Sequence, residues 1–187
     1  MSVWVDLQTV GAAWASAIAT AGATATALWL ALSDRRQRDA ERLLAARVRA
    51  SGIAVYLEEL RLELNTALAS ISEAQRRGNE TDLKQFLEVV AGNVHSLNTD
   101  FFSANETSVL SALPDNAAEK TYVAMALIRS VQGGLKRRLE TVLEGCPESN
   151  VLIDYWKNQL SWAHGLIVEA QSVYAEHGRI RIIRPKA

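Results

Sequence analysis

The chain has 187 residues, 20 Lys and Arg against 21 Asp and Glu, and a formal net charge of −1. That balance excludes an overall basic nucleic-acid binder, and a hydrophobic share of 49% excludes a disordered chain. A single cysteine excludes an intrachain disulfide framework and a cysteine-based zinc or iron–sulfur site.

No charged residue stands between Asp6 and Asp34. As an α-helix the stretch from Leu7 to Ser33 would reach about 40 Å, and a hydrocarbon core is about 30 Å thick. No proline interrupts it, and Trp4 and Trp29 fall near its ends, where amphipathic rings favour the headgroup level. Residues 1–33 are therefore predicted to form a transmembrane anchor. The middle is rich in Ala and Thr, so a second reading stays open: a buried Ala-rich helix inside a soluble helical oligomer. A secretory signal peptide fits less well, because the residues before the span include Asp6 and no Lys or Arg.

Small residues recur every four positions in this span. Gly11 with Ala15, and Gly22 with Thr26, form small-xxx-small pairs, and Ala15, Ala19, Ala23 and Ala27 form a row. Such faces let helix backbones approach closely. Gly11, Ala15, Ala19, Gly22, Ala23 and Thr26 are thus candidates for association with a second copy or another membrane protein.

Residues 34–52 form a basic juxtamembrane stalk. Arg35, Arg36, Arg38, Arg42, Arg47 and Arg49 face only Asp34, Asp39 and Glu41. The positive-inside rule puts the N-terminus outside and the remainder in the cytoplasm. The Ala- and Arg-rich composition suggests a bacterial inner membrane, and Cys146 suits a reducing compartment. Arg35, Arg36 and Arg38 join Trp4 and Trp29 as candidate membrane-interface residues.

Residues 53–178 read as a helical bundle. The first helix continues to Arg77 with Ile53, Leu57, Leu60, Leu64, Leu68 and Ile71 at helical spacing, and Gly78-Asn79 ends it. A second helix starts near Thr81 and carries Leu83, Leu87, Val90, Val94, Leu97 and Phe101. Ser103 and Glu106 have capping-box spacing, which predicts a short helix from Ala104 to Leu113. Pro114 marks the start of the next helix, with Val123, Leu127, Val131, Leu135, Leu139 and Val142. Gly133-Gly134 inside it implies close packing, a kink or a break, and Gly145-Cys146-Pro147 closes it. A final helix holds Leu152, Trp156, Leu160, Ala163, Ile167, Ala170 and Tyr174, ending at His177 and Gly178. The expected fold is all-α: a single N-terminal transmembrane helix followed by a cytoplasmic antiparallel four-helix bundle with a short basic C-terminal tail.

The tail, 179–187, places Arg179, Arg181, Arg184 and Lys186 among three isoleucines. Four antiparallel passes return the chain to the side where it entered, so these four residues are further membrane-interface candidates. Charge divides accordingly: +3 over 34–50, −7 over 51–178 and +4 over 179–187.

Chemistry is sparse. His95, His164 and His177 lack the Glu three residues earlier that a bundle metal site would use. Cys146 has no identifiable base, no phosphate-binding glycine loop occurs, and Lys136-Arg137-Arg138 is followed by Glu140 and Glu144, as on a solvated helix face. No catalytic, cofactor or metal residue is assigned. The expected function is a non-enzymatic membrane-anchored helical interaction module, such as a regulator, an assembly factor or a phage-related exclusion or defence component. Its partners would be the lipid bilayer and another protein or a second copy, with no nucleic acid. A membrane-bound sensor is the alternative, with a ligand pocket sought near Gly133-Gly134 and His164.

Overall fold

The computed structural model describes residues 2–77, 80–143 and 149–178. They form five helices: α1 Ser2–Arg77, α2 Glu80–Ser96, α3 Ala104–Leu110, α4 Ala117–Leu143 and α5 Ser149–His177. The described residues contain no strand, so the all-α expectation holds for them. The chain divides into two compact units, Met1–Arg42 and Leu43–Ala187. The expected stops at Gly78-Asn79 and Gly145-Cys146-Pro147, and the tail residues Arg179, Arg181, Arg184 and Lys186, lie outside the described residues, as do the side chains of Leu83, Leu87, Leu139 and Val142.

The first unit is the N-terminal stretch of α1. Trp14, Ile18, Leu28, Trp29, Leu30 and Leu32 are all exposed. Its threonines close their hydroxyls on the helix itself: Thr20 donates to the Ser16 carbonyl at 2.9 Å, Thr24 to Thr20 at 2.8 Å and Thr26 to Gly22 at 2.9 Å. A polar side chain that bonds its own helix needs no water, which suits a stretch surrounded by hydrocarbon.

The second unit has a continuous apolar core. α1 contributes Ala46, Ala50, Ile53, Leu57, Leu60, Leu64, Ala67 and Ile71, alternating four and three residues apart. Leu68, expected in that row, is only half-buried, and the smaller Ala67 faces inward instead. α5 contributes Ile153, Trp156, Leu160, Ala163, Ile167, Ala170 and Tyr174, with Leu152 half-buried beside them. On α4 the inward face differs from the expected one. Ala117, Thr121, Ala124, Met125, Ile128, Val131 and Leu135 are buried, whereas Val123 and Leu127 are half-buried. Small residues on the inward row allow a closer helix approach than the bulkier neighbouring row would.

Side-chain contacts tie the helices together in a ring. Between α1 and α5, Gln75 donates to Asp154 and accepts from Lys157, Glu58 accepts from Gln171, and Gly178 lies against Ser51. Between α1 and α2, Asn93 donates to Ser70, and Phe101, just past α2, stacks on Tyr56 with ring centroids 5.4 Å apart. From α4, Gln132 donates to the Val94 and Leu97 carbonyls and Arg129 to the Thr99 carbonyl. Between α4 and α5, Lys120 pairs with Glu169, Thr121 with Tyr174, and Gly134 with Trp156.

Three expected boundaries shift for local reasons. α2 stops at Ser96, because Asn98 accepts the Asp100 N–H and Gln132 satisfies the terminal carbonyls. Leu97 and Phe101 nevertheless pack from the loop. α3 ends at Leu110 rather than Leu113, and its capping box is half made. Ser103 accepts the Glu106 N–H at 3.4 Å, but the Glu106 carboxylate pairs with Arg49. α4 begins at Ala117 rather than at Pro114. Asp115 and Asn116 take φ of 60° and 54°, a left-handed conformation that no right-handed helix can include. Gly133 and Gly134 do not break α4. A Cβ on Gly134 would stand 3.1 Å from Trp156 Nε1, so close packing is what this glycine permits.

Candidate functional site

The first unit presents exposed large apolar side chains, among them Trp14, Ile18, Leu28, Trp29, Leu30 and Leu32. Among the described residues one helix is long and apolar enough to cross a membrane, and its most apolar stretch has no buried residue. Trp29, Arg35, Arg36 and Arg38 are exposed at the C-terminal side of that stretch. Arg38 lies 3.7 Å from Asp34 and Arg42 lies 4.0 Å from Asp39, both exposed pairs one helical turn apart. Such pairs contribute little in water, so the arginines keep their charge available. The side chain of Trp4 lies outside the described residues.

Among the helix-association candidates, Ala19, Gly22, Ala23 and Thr26 are exposed, and the side chains of Gly11 and Ala15 lie outside the described residues. At about 100° per residue, Trp14, Ile18, Leu28, Trp29 and Leu32 fall within one sector roughly 100° wide. Ala19, Gly22, Ala23 and Thr26 fall beside that sector, and the exposed Leu30 shares their face.

In the second unit, a polar cluster lies between α1 and α5. Arg61 donates to both Glu58 oxygens, at 3.0 and 2.6 Å, and Gln171 also donates to Glu58. The Arg61 and Gln171 hydrogen bonds hold the Glu58 carboxyl down to about 2. A carboxylate so stabilised is a poor proton acceptor, which suits fixing helices better than general base catalysis. His164 is half-buried, and its Nε2 has no hydrogen-bond partner. Burial, then the Arg61 charge, pushes the imidazole below its ordinary value. Deeper in, the Tyr174 hydroxyl meets Thr121 at 3.1 Å, and burial pushes it up to about 12. Thr121 donates onward to the Ala117 carbonyl, so Tyr174 is the donor of the pair.

Among the described residues no three His, Cys, Asp or Glu side chains are grouped to hold a metal ion. The space sought beside Gly133-Gly134 is narrowed by the Trp156 indole against Gly134. An open cleft of about 370 Å³ lies elsewhere, lined by Ala104, Thr107, Ser108, Ser111 and Tyr122. The aromatic residues of α5 divide: Trp156 and Tyr174 are core, whereas Tyr155 and Trp162, with Val151, are exposed on one outer face. Large rings in that setting are common energetic centres of protein interfaces.

No protein-family model, no curated protein and no solved structure matches this chain.

Proposed function

We propose that this protein is a non-enzymatic helical interaction module held in a bacterial inner membrane by α1, with its N-terminus outside and its second unit in the cytoplasm. The observation that carries the reading is the uncharged stretch of α1, whose large apolar side chains find no protein cover. Soluble monomers rarely expose contiguous apolar patches larger than a few hundred Å². A lipid bilayer covers a helix on every side at once. The six arginines that follow the span support the orientation.

The second unit is read as an antiparallel four-helix bundle of α1, α2, α4 and α5. In each neighbouring pair the contacts run in opposite order. Ser51, Glu58 and Gln75 meet Gly178, Gln171 and Asp154. Ser70 and Tyr56 meet Asn93 and Phe101. Val94 and Thr99 meet Gln132 and Arg129, and Thr121 and Gly134 meet Tyr174 and Trp156. Gly178 abuts Ser51, close in the chain to Arg47 and Arg49 on α1. Each basic residue near an anionic leaflet contributes about 1 kcal/mol. The outer face of α5, with Val151, Tyr155 and Trp162, is the surface offered to a protein partner.

Carbonate extraction tests the anchor. The full chain is expected to stay with the membrane pellet and a chain lacking residues 1–33 to leave it; full-length protein in the supernatant would refute the anchor. That outcome would favour the second reading, a soluble helical oligomer, which the small-residue face of the span supports. A pull-down from detergent with Tyr155→Ala and Trp162→Ala tests the partner surface. An undiminished partner band would remove it.

A further inference from the structure

The arginines that follow the span are sorted around the helix. Arg35, Arg38 and Arg42 stand three and four residues apart. At about 100° per residue they fall within a sector roughly 60° wide that holds no acidic residue over 31–42. Asp34 and Glu41 lie to one side of that sector and Asp39 to the other, while Arg36 is about 100° away from Arg35. Ala31, Asp34, Arg35, Arg38, Asp39 and Arg42 line an open concavity of about 510 Å³ on this face. Helical side chains lean toward the N-terminus of their helix, which here is the side of the span. The ion pairs display that lean, with Arg38 reaching back to Asp34 and Arg42 to Asp39. Their guanidinium groups thus stand near the level of residues 34 and 39, about 3 and 10 Å beyond Leu32 along the axis. One turn before Arg35 stands Ala31, small and uncharged.

We infer that this face holds the headgroup of an anionic glycerophospholipid, with Arg35 and Arg38 on its phosphate and Arg42 further out. The inference rests on the proposed anchor, which puts the end of the span at the membrane surface. The headgroup layer is about 5–7 Å thick on each side of a bilayer, so Arg35 and Arg38 stand at the depth of the phosphates. A guanidinium fork matches two phosphate oxygens at once. Asp34 and Asp39 meet Arg38 and Arg42 only in exposed pairs of 3.7 and 4.0 Å, which contribute little. Each guanidinium has five N–H donors, so a phosphate can join such a pair or replace it. A choline headgroup carries the same phosphate but brings a cation against the neighbouring arginines, and the anionic lipid is favoured over it. The same face continues into the span as Ala31, Ala27, Thr24 and Thr20, between Leu28 and Leu30. The Thr20 and Thr24 hydroxyls are closed on their own helix, so an acyl chain below the bound headgroup meets an apolar surface.

The test uses full-length protein in phosphatidylcholine vesicles that carry a trace of spin-labelled phosphatidylglycerol or spin-labelled phosphatidylcholine. Electron spin resonance reads the fraction of each label immobilised by the protein. The parent is expected to favour phosphatidylglycerol about fivefold, the ratio that one basic residue beside an anionic headgroup supports. Arg38→Gln combined with Gln37→Arg keeps the net charge and the depth but moves one cation about 100° off the face. It is expected to bring the ratio close to parity, and Arg35→Gln to do the same. Arg36→Gln removes equal charge at equal depth from outside the face and should leave the preference in place. Equal association of both lipids with the parent would overturn the inference. So would a preference unmoved by the exchange of positions 37 and 38, or an equal loss with Arg35→Gln and Arg36→Gln, because bulk charge would then account for it. Carbonate extraction of the same vesicles separates the two readings. Retained protein without a lipid preference refutes the headgroup site alone, and released protein refutes the anchor on which that site rests.

Discussion

Residues 16–33 and residues 53–71 belong to the same helix, and their side chains meet opposite surroundings. In the later stretch Ile53, Leu57, Leu60, Leu64 and Ile71 are buried while Glu59, Asn65 and Thr66 look outward. That is the pattern of a helix with protein on one side and water on the other. In the earlier stretch every residue is exposed and none is charged. Helix formation is thus indifferent to the difference. What distinguishes the two stretches is the solvent each is written for, and side-chain chemistry around the whole circumference carries that information.

The most forceful way to break this comparison is a charge in the span. Ala23→Arg is expected to cost about 2.5–3.5 kcal/mol of insertion. The span is rich in Ala and has little surplus apolar area, so much of the variant should move to the carbonate supernatant. Unchanged retention would mean that lipid is not what covers this stretch. A deletion pair reads the same contrast through stability. Leu57→Ala empties a fully buried core site and should destabilise by about 2–5 kcal/mol. Leu28→Ala, on the exposed stretch, should leave the unfolding of the second unit unmoved. Denaturant titration of the full chain in detergent followed by near-ultraviolet circular dichroism measures both.

Smaller effects are expected where glycines sit in mid-helix. Gly134→Leu would drive a side chain into the Trp156 indole and should cost about 1–3 kcal/mol. Gly165 on α5 has open space around it, and Gly165→Ala should stabilise by up to about 1 kcal/mol. Thermal melts with opposite shifts would bear this out; equal shifts would show that Gly134 is not a packing contact. The smallest effect concerns pH. The folded His164 imidazole is pushed below its ordinary 6.5, so the unfolded chain takes up a proton first as pH falls below that value. Stability should therefore decline from about pH 6.5 downward, and His164→Asn should flatten the melting temperature between pH 7 and 5. The Glu58 contribution is lost separately, between about 4.5 and about 2, and leaves that window undisturbed.

The helices were legible because apolar spacing and charge-free length are written residue by residue. Ile53, Leu57, Leu60 and Leu64 read directly as a core row. The α4 face did not, because its inward row is built from Ala117, Thr121 and Ala124, which carry little hydropathic signal beside Val123 and Leu127. The late start of α4 was hidden for another reason: Pro114 favours a helix start, and only the backbone of Asp115 and Asn116 reveals the left-handed turn that delays it. At the candidate site the apolar span and its arginines were plain in the sequence. The Glu58–Arg61–Gln171 cluster was not, since Gln171 lies far from the other two in the chain and meets them only when α5 packs on α1.

One contact has an architectural consequence. Gly178 fits against Ser51 so tightly that a Cβ would stand 2.6 Å from the Tyr174 carbonyl and 3.1 Å from Ser51 Cα. The described part of the second unit therefore ends beside α1, about two turns after that helix enters the unit at Leu43. Neighbouring entry and exit points are the geometry of a cassette. Such a body can be carried in the middle of another chain, provided the insert keeps Ala46 and Ala50, which belong to its core.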